Sequence, residues 1–218
     1  MQIRLPQIKL LACDVDGVLT DGGVIYAGGT ERMKVMTNEK DITPHLTEMV
    51  GKAMDWPSSS NDTAAVVSAF ELKAFNIKDG LGIKLAGWNG LPVVWITGRS
   101  SEAVRMRGGE LDVHLYQGVV DKAEGLRRVA EKHGVAVEEI AYIADDLNDL
   151  PALRLVGYPI AVADAAPEVI AVAAHVTKAR GGQGAVREAI EHILRGQGRW
   201  ETAVEVYVAR LGSARSAQ

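Results

Sequence analysis

The chain has 218 residues and a single cysteine, Cys13, which excludes a disulfide within it. That agrees with a reducing compartment. Basic residues are not in excess: 24 Lys and Arg stand against 28 Asp and Glu, for a formal net charge of -4. Nothing here builds the basic face that nucleic acid requires, so no nucleic-acid partner is expected. Long apolar runs are also missing. Residues 1–6 carry none, which argues against a secretory signal, and no transmembrane span is seen, so no membrane partner is expected. The expected location is the cytoplasm. The five histidines show no metal-ligand spacing, and repeats and low-complexity tracts do not occur. An acidic protein that handles an anionic substrate must therefore bring local positive charge to it, from cationic side chains or a metal ion.

What is present is ordinary in amount and ordered in pattern. A hydrophobic content of 47% at this length fits one domain with a full core. Short apolar segments at 8–13, 92–96, 140–144 and 157–162, and a weaker one at 112–116, read as buried parallel strands. Helical patterns lie between them, at 81–88, 101–108, 122–133, 147–156 and 185–194. In the third of these, Leu126, Val129 and Ala130 share a face and Gly134 is the stop signal. Strand and helix alternate, which predicts a doubly wound, Rossmann-like α/β fold. Ligands bind such sheets at the carboxyl ends of the strands, and three predicted strands end in Asp14, Thr97 and Asp145. Two stretches, 20–30 and 69–77, read instead as the arms of a hairpin. Residues 31–69 between them look inserted. There Thr43 and Pro44 predict a helix start, and Leu46, Met49, Val50, Ala53 and Met54 an apolar stripe. A late stripe, Trp200, Val204, Tyr207, Val208 and Leu211, reads as packing. Cys13 reads as a buried strand residue.

Four motifs carry chemistry. In Asp14-Val15-Asp16-Gly17, two carboxylates at a strand end repel each other and call for a cation or a shared proton. Magnesium, a hard ion that takes oxygen ligands, satisfies them. Alone, the same residues make a strand-ending turn. Thr97-Gly98-Arg99 offers a hydroxyl and N–H groups at a helix start, an anion cradle or an ordinary N-cap. Lys122 sits at a helix start, where the dipole favours anions, so it is a cation in an unfavoured place. In Asp145-Asp146-Leu147-Asn148-Asp149, Asp145 and Asp149 lie four apart, on one face of a helical turn. Asp146 or Asn148 could cap that helix.

Together, in this order, the motifs resemble those of the haloacid dehalogenase superfamily of phosphohydrolases. The resemblance implies that Asp14 is the nucleophile that becomes phosphorylated and Asp16 the general acid and base. Thr97 and Lys122 would hold the phosphoryl oxygens. Magnesium would sit on Asp14, the Asp16 carbonyl and Asp145, with Asp149 and Asp146 supporting that ligand set. Longer stretches, including residues 73–83, 97–104, 115–119, 145–151 and 180–188, resemble the 3-deoxy-D-manno-octulosonate 8-phosphate phosphatases. That likeness implies a single domain without a large cap, a β-hairpin flap that packs at the centre of a homotetramer, and a glycine-rich tail, from about 178, that folds over an active site. It implies a phosphorylated 2-keto-3-deoxy sugar acid as substrate, with Gly98, Arg99, Lys78, Asp79 and Arg180 as contacts. Lys78 stands where that family usually has Arg, and Ala144 where it has Gly. The insertion at 31–69 replaces a tight turn. A nonulosonate 9-phosphate shares the 2-keto-3-deoxy acid, so these motifs do not separate the two substrates. A catalytically silent assembly subunit is the alternative from another class, and the intact acidic and basic cluster argues against it. A phosphotransferase or mutase would want a cap that only the insertion could supply.

Overall fold

Every side chain of Leu10, Leu11, Ala12 and Cys13 is buried, as expected of a strand covered on both faces. In the computed structural model, which describes residues 5–29 and 68–215, they form β1 (Leu10–Cys13). The other strands are β2 (Ile25–Gly29), β3 (Ser68–Leu72), β4 (Val93–Ile96), β5 (His114–Tyr116), β6 (Ile140–Ala144), β7 (Tyr158–Ala161) and β8 (His175–Val176). Six of them make one parallel sheet in the order β5-β4-β1-β6-β7-β8. The helices among the described residues are α1 (Ile77–Trp88), α2 (Glu102–Leu111), α3 (Lys122–His133), α4 (Leu150–Leu153), α5 (Pro167–Val172), α6 (Ala185–Gly196) and α7 (Trp200–Arg215). The doubly wound α/β expectation holds. Cys13 pairs in register with Trp95 on one side and Ile143 on the other. That register brings the ends of β1, β4 and β6 to one edge of the sheet.

The chain divides into two compact units, one of residues 1–23 with 73–218 and one of residues 24–72. The second contains the antiparallel pair β2 and β3, with Ile25 opposite Leu72 and Gly29 opposite Ser68. The two predicted hairpin arms therefore do pair. The helix predicted from Thr43-Pro44, with its stripe, lies outside the described residues.

Several boundaries differ from the sequence reading. The second arm was expected over 69–77, but β3 ends at Leu72 and α1 opens at Ile77. The Asn76 side chain accepts a 2.9 Å hydrogen bond from the Lys78 N–H and starts the helix. Residues 68 and 69 belong to β3, not to the insertion. The helix expected over 147–156 is a 3-10 turn at Leu147–Asp149 followed by the four-residue α4. Asp146 Oδ1 caps the turn at Leu147 N, 2.7 Å away, and Pro151 lies in the first turn of α4. β8 has two residues, too few to show a periodicity. The late stripe forms α7. Trp200 and Ala203 are buried, while Val204, Val208 and Leu211 remain exposed. Cys13 is fully buried, as expected.

Candidate active site

The ends of β1 and β6, the turn after β6 and the start of α3 bring Asp14, Asp145, Asp149 and Lys122 together. Asp14 follows β1 and is 4% exposed. Its own N–H donates to Ile143 O at 3.0 Å, which ties the loop to β6. Lys122 opens α3, where Asp121 Oδ1 caps Glu124 N at 3.0 Å. The Lys122 ammonium lies 2.9 Å from Asp14 Oδ1 and 2.6 Å from Asp149 Oδ1. The Tyr142 hydroxyl, from β6, donates to the same Asp149 oxygen at 2.5 Å. One carboxylate oxygen from each of Asp14, Asp145 and Asp149 lies within 4.8 Å of the others.

The electrostatics follow from burial. Asp14 is pushed up to about 8, first by loss of solvent and then by the charge of Asp149; Lys122 opposes both. Asp145 is raised to about 6, by burial and then by Asp149. Burial alone would lower Lys122, but Asp14 and Asp149 outweigh it and hold the ammonium above its ordinary value. Three carboxylates are thus gathered around one ammonium that pairs directly with two of them, Asp14 and Asp149. Asp145 Oδ1 and Asp149 Oδ2 are buried with no hydrogen-bond partner. A buried unpaired carboxylate oxygen is costly. An all-oxygen donor set with excess negative charge fits a hard divalent cation such as magnesium.

Glycine is required where two loops meet the site. Gly17 has φ +88°, and a Cβ there would stand 2.0 Å from Asp145 Oδ2. A Cβ on Gly181 would stand 1.7 Å from Gly17 O. The Gly182 N–H donates to Val18 O at 2.9 Å, so the glycine-rich segment lies directly on the Asp14 loop. Asp164 holds that segment from its other side, accepting from Gly181 N at 2.9 Å and from Arg180 Nε at 3.1 Å.

Asp16 is more exposed than Asp14, at 22% of its side chain. Its Oδ1 pairs with the buried Lys73 ammonium, and its Oδ2 lies 3.8 Å from Arg99 Nε. Thr97 is buried, and its Oγ1 accepts from Arg99 N at 3.1 Å. That leaves its own hydroxyl proton to donate. Gly98 and Arg99 are exposed beside it.

Other expected site residues stand differently. Asp79, taken as a substrate contact, is 2% exposed, and its Oδ1 accepts from Arg187 N at 2.7 Å. It pins the start of α6 to α1, because a buried carboxylate seeks the free N–H groups of a helix start. Asp146, expected to support the metal ligands, is exposed and spends Oδ1 on the turn it caps. Asp149, given a supporting place, is itself in the three-carboxylate cluster. Lys78 is exposed in the first turn of α1. Arg180 is exposed and paired with Asp164. Sequence reasoning assigned no role to Lys73, Tyr142 or Asp164. A hydroxyl within an apolar strand was the one signal for Tyr142, since a buried phenol needs a partner.

Residues 99–190 match a family model described as haloacid dehalogenase-like hydrolase. The 3-deoxy-D-manno-octulosonate 8-phosphate phosphatase of Escherichia coli (strain K12) is 37% identical over 201 residues, 92% of this chain and 86% of that protein. The chain belongs to the 3-deoxy-D-manno-octulosonate 8-phosphate phosphatase family. Another member of this family, from Yersinia pestis, is 36% identical over 201 residues, 92% of this chain and 87% of its own. Among solved structures, the octulosonate 8-phosphate phosphatase of Moraxella catarrhalis, in complex with magnesium ion, phosphate ion and KDO, superposes with a TM-score of 0.72. It is 33% identical, over 93% of this chain and 95% of that one. The cobalt-bound phosphatase of the same family from Haemophilus influenzae gives a TM-score of 0.67 at 30% identity, over 90% and 92% of the two chains.

Proposed function

We propose that this chain hydrolyses 3-deoxy-D-manno-octulosonate 8-phosphate to the free sugar acid and phosphate, with magnesium as cofactor and an aspartyl-phosphate on Asp14 as intermediate. The observation that carries the reading is the Lys122 ammonium set between Asp14 and Asp149, beside the unpaired oxygens of Asp145 and Asp149. Bound there, magnesium would neutralise the carboxylates and stabilise charge on the phosphoryl oxygens. Asp14 and Asp145, with the Asp16 carbonyl or Asp149, would hold it.

The chain's own groups do the rest. Lys122 holds Asp14 through Oδ1 and, together with bound magnesium, would favour its anionic form for attack on phosphorus. The bond from phosphorus to the sugar oxygen breaks as the Asp14 oxygen bonds to phosphorus. Asp16 gives its proton to the departing oxygen, then takes one from the water that cleaves the aspartyl-phosphate. The Thr97 hydroxyl and the N–H groups of Gly98 and Arg99 receive phosphoryl oxygens. Arg99, Lys78 and Arg180, exposed and cationic, are the proposed partners of the sugar acid.

The chain acts as a single phosphatase domain in the cytoplasm and assembles as a homotetramer. The exposed Val24, Ile25, Tyr26 and Leu72 of the hairpin unit support an assembly surface. No helix among the described residues is long and apolar enough to cross a membrane.

The test is phosphate release from the octulosonate 8-phosphate, with and without magnesium, beside a nonulosonate 9-phosphate and hexose phosphates. Fast metal-dependent release from the octulosonate, abolished in Asp14→Asn, is expected. Selective turnover of the nonulosonate would keep the chemistry and replace the substrate. No turnover of any of them by folded protein would refute the reading.

A further inference from the structure

Lys73 is the first residue after β3, 57 positions from Asp16. Its side chain is completely buried, and its ammonium meets Asp16 Oδ1. A buried ammonium is costly to the fold unless it is paired, so a lysine in this place has a use. The other oxygen of Asp16, Oδ2, lies 3.8 Å from Nε of Arg99, whose side chain is 45% exposed, and the Asp16 side chain itself is 22% exposed. Asp16 is therefore anchored through Oδ1 on a buried cation, with Oδ2 toward an exposed one. The two aspartates of the first motif are each held by a lysine brought from elsewhere in the chain: Asp14 by Lys122, Asp16 by Lys73.

We infer that Lys73 is a positioning residue for proton transfer, fixing the Asp16 carboxyl group so that Oδ2 faces the leaving oxygen of the substrate. This rests on the reading of Asp16 as the acid of the first step. A proton carried on Oδ2 leaves Oδ1 accepting from Lys73. The proton is then given to the departing alcohol, and later recovered from water, at one oxygen without rotation of the group. Lys73 itself forms no bond to the substrate.

The distinguishing measurement is leaving-group dependence, read in kcat/KM, which covers the steps up to departure of the alcohol. A sugar alcohol leaves only with a proton, whereas nitrophenolate leaves without one. Lys73→Met should lower kcat/KM for the octulosonate 8-phosphate by about 100-fold, the low end of the range for general acid catalysis, and that for p-nitrophenyl phosphate by less than about threefold. Lys73→Arg, which keeps the charge, should recover part of the loss. In an Asp16→Asn background, Lys73→Met should cost nothing further, and that double variant removes both charges should the single variant not fold. An equal loss on both substrates, no loss on either, or a further drop in the Asp16→Asn background would overturn the inference. Should Asp16→Asn itself lose activity equally on both substrates, the acid role falls and this inference with it. Selectivity in Asp16→Asn without selectivity in Lys73→Met removes the Lys73 inference alone.

Discussion

Two kinds of single residue carry the site: those that bring charge and those that keep space clear for it. Lys122 is the first kind. Its removal would leave Asp14 and Asp149 buried without their shared cation. Lys122→Ala should lower stability by about 3–5 kcal/mol, read by urea denaturation in the absence of magnesium. Tyr142→Phe removes one hydrogen bond to a charged oxygen and should cost less, about 1.5–3 kcal/mol in the same assay. Gly17 is the second kind. Gly17→Ala would put a methyl group 2.0 Å from Asp145 Oδ2 on a backbone at φ +88°. The carboxylate must move, and magnesium affinity should fall about 10–100-fold, as when a partner that orients a metal ligand is lost. Unchanged affinity by isothermal titration would show that Asp145 does not hold the ion.

Elements are joined to the site by buried polar contacts as well as by the sheet. Asp79 links α1 to the start of α6, and the segment before α6 lies on the Asp14 loop. Burial raises the Asp79 carboxyl to about 6, against lowering by the N–H groups of Arg187, Gly184 and Val186. The folded chain thus keeps a proton there that the unfolded chain releases near pH 4. The associated stability is present below about pH 4 and is lost as pH rises through about 6, by about 3 kcal/mol for a shift of this size. With magnesium saturating, so that Asp14 and Asp145 stay ionised, Asp79→Asn should flatten the melting temperature between pH 4 and 6. An unaltered slope in the variant would exclude Asp79 as its source. The same carboxylate shows what a motif leaves open. Residues 73–83 carry the family likeness, but the sequence does not say which way a side chain on α1 turns.

For the whole molecule, the acidic cluster links metal binding to stability. In metal-free protein, Asp14 at about 8 and Asp145 at about 6 both lie above their ordinary values. The sign is the same as for Asp79: stability falls as pH rises from 4 through 6 to 8. Magnesium binds the folded chain alone and should restore it, by about 2.7 kcal/mol at a hundredfold excess over Kd, with the larger gain at the higher pH. Thermal melts at pH 5 and 8, with magnesium and with chelator, check this. An equal gain at both would place the ion elsewhere. Light scattering should give a tetramer, and Tyr26→Glu in the hairpin should shift it to smaller species.

In the sequence by itself, apolar patterning located five of the six strands of the parallel sheet, all but the two-residue β8, and the residues at the ends of β1, β4 and β6. Apolar runs such as 8–13 and 140–144 read as strands buried on both faces, and a parallel sheet collects their ends. Asp14, Thr97 and Asp145 stand at those ends, with Asp16 beside the first; Lys122 stood out only as a cation at a helix start, and its role is what the family resemblance implies. Tertiary structure alone decided what those groups touch. Asp149, at the end of the 3-10 turn after β6, joins the carboxylate cluster and meets Lys122 and Tyr142 there. Asp79 turns inward because α6 presents unpaired N–H groups to it. Lys73 reaches Asp16 across 57 residues. Local periodicity records which face of an element is buried; it holds no record of the partner that comes from a distant part of the chain.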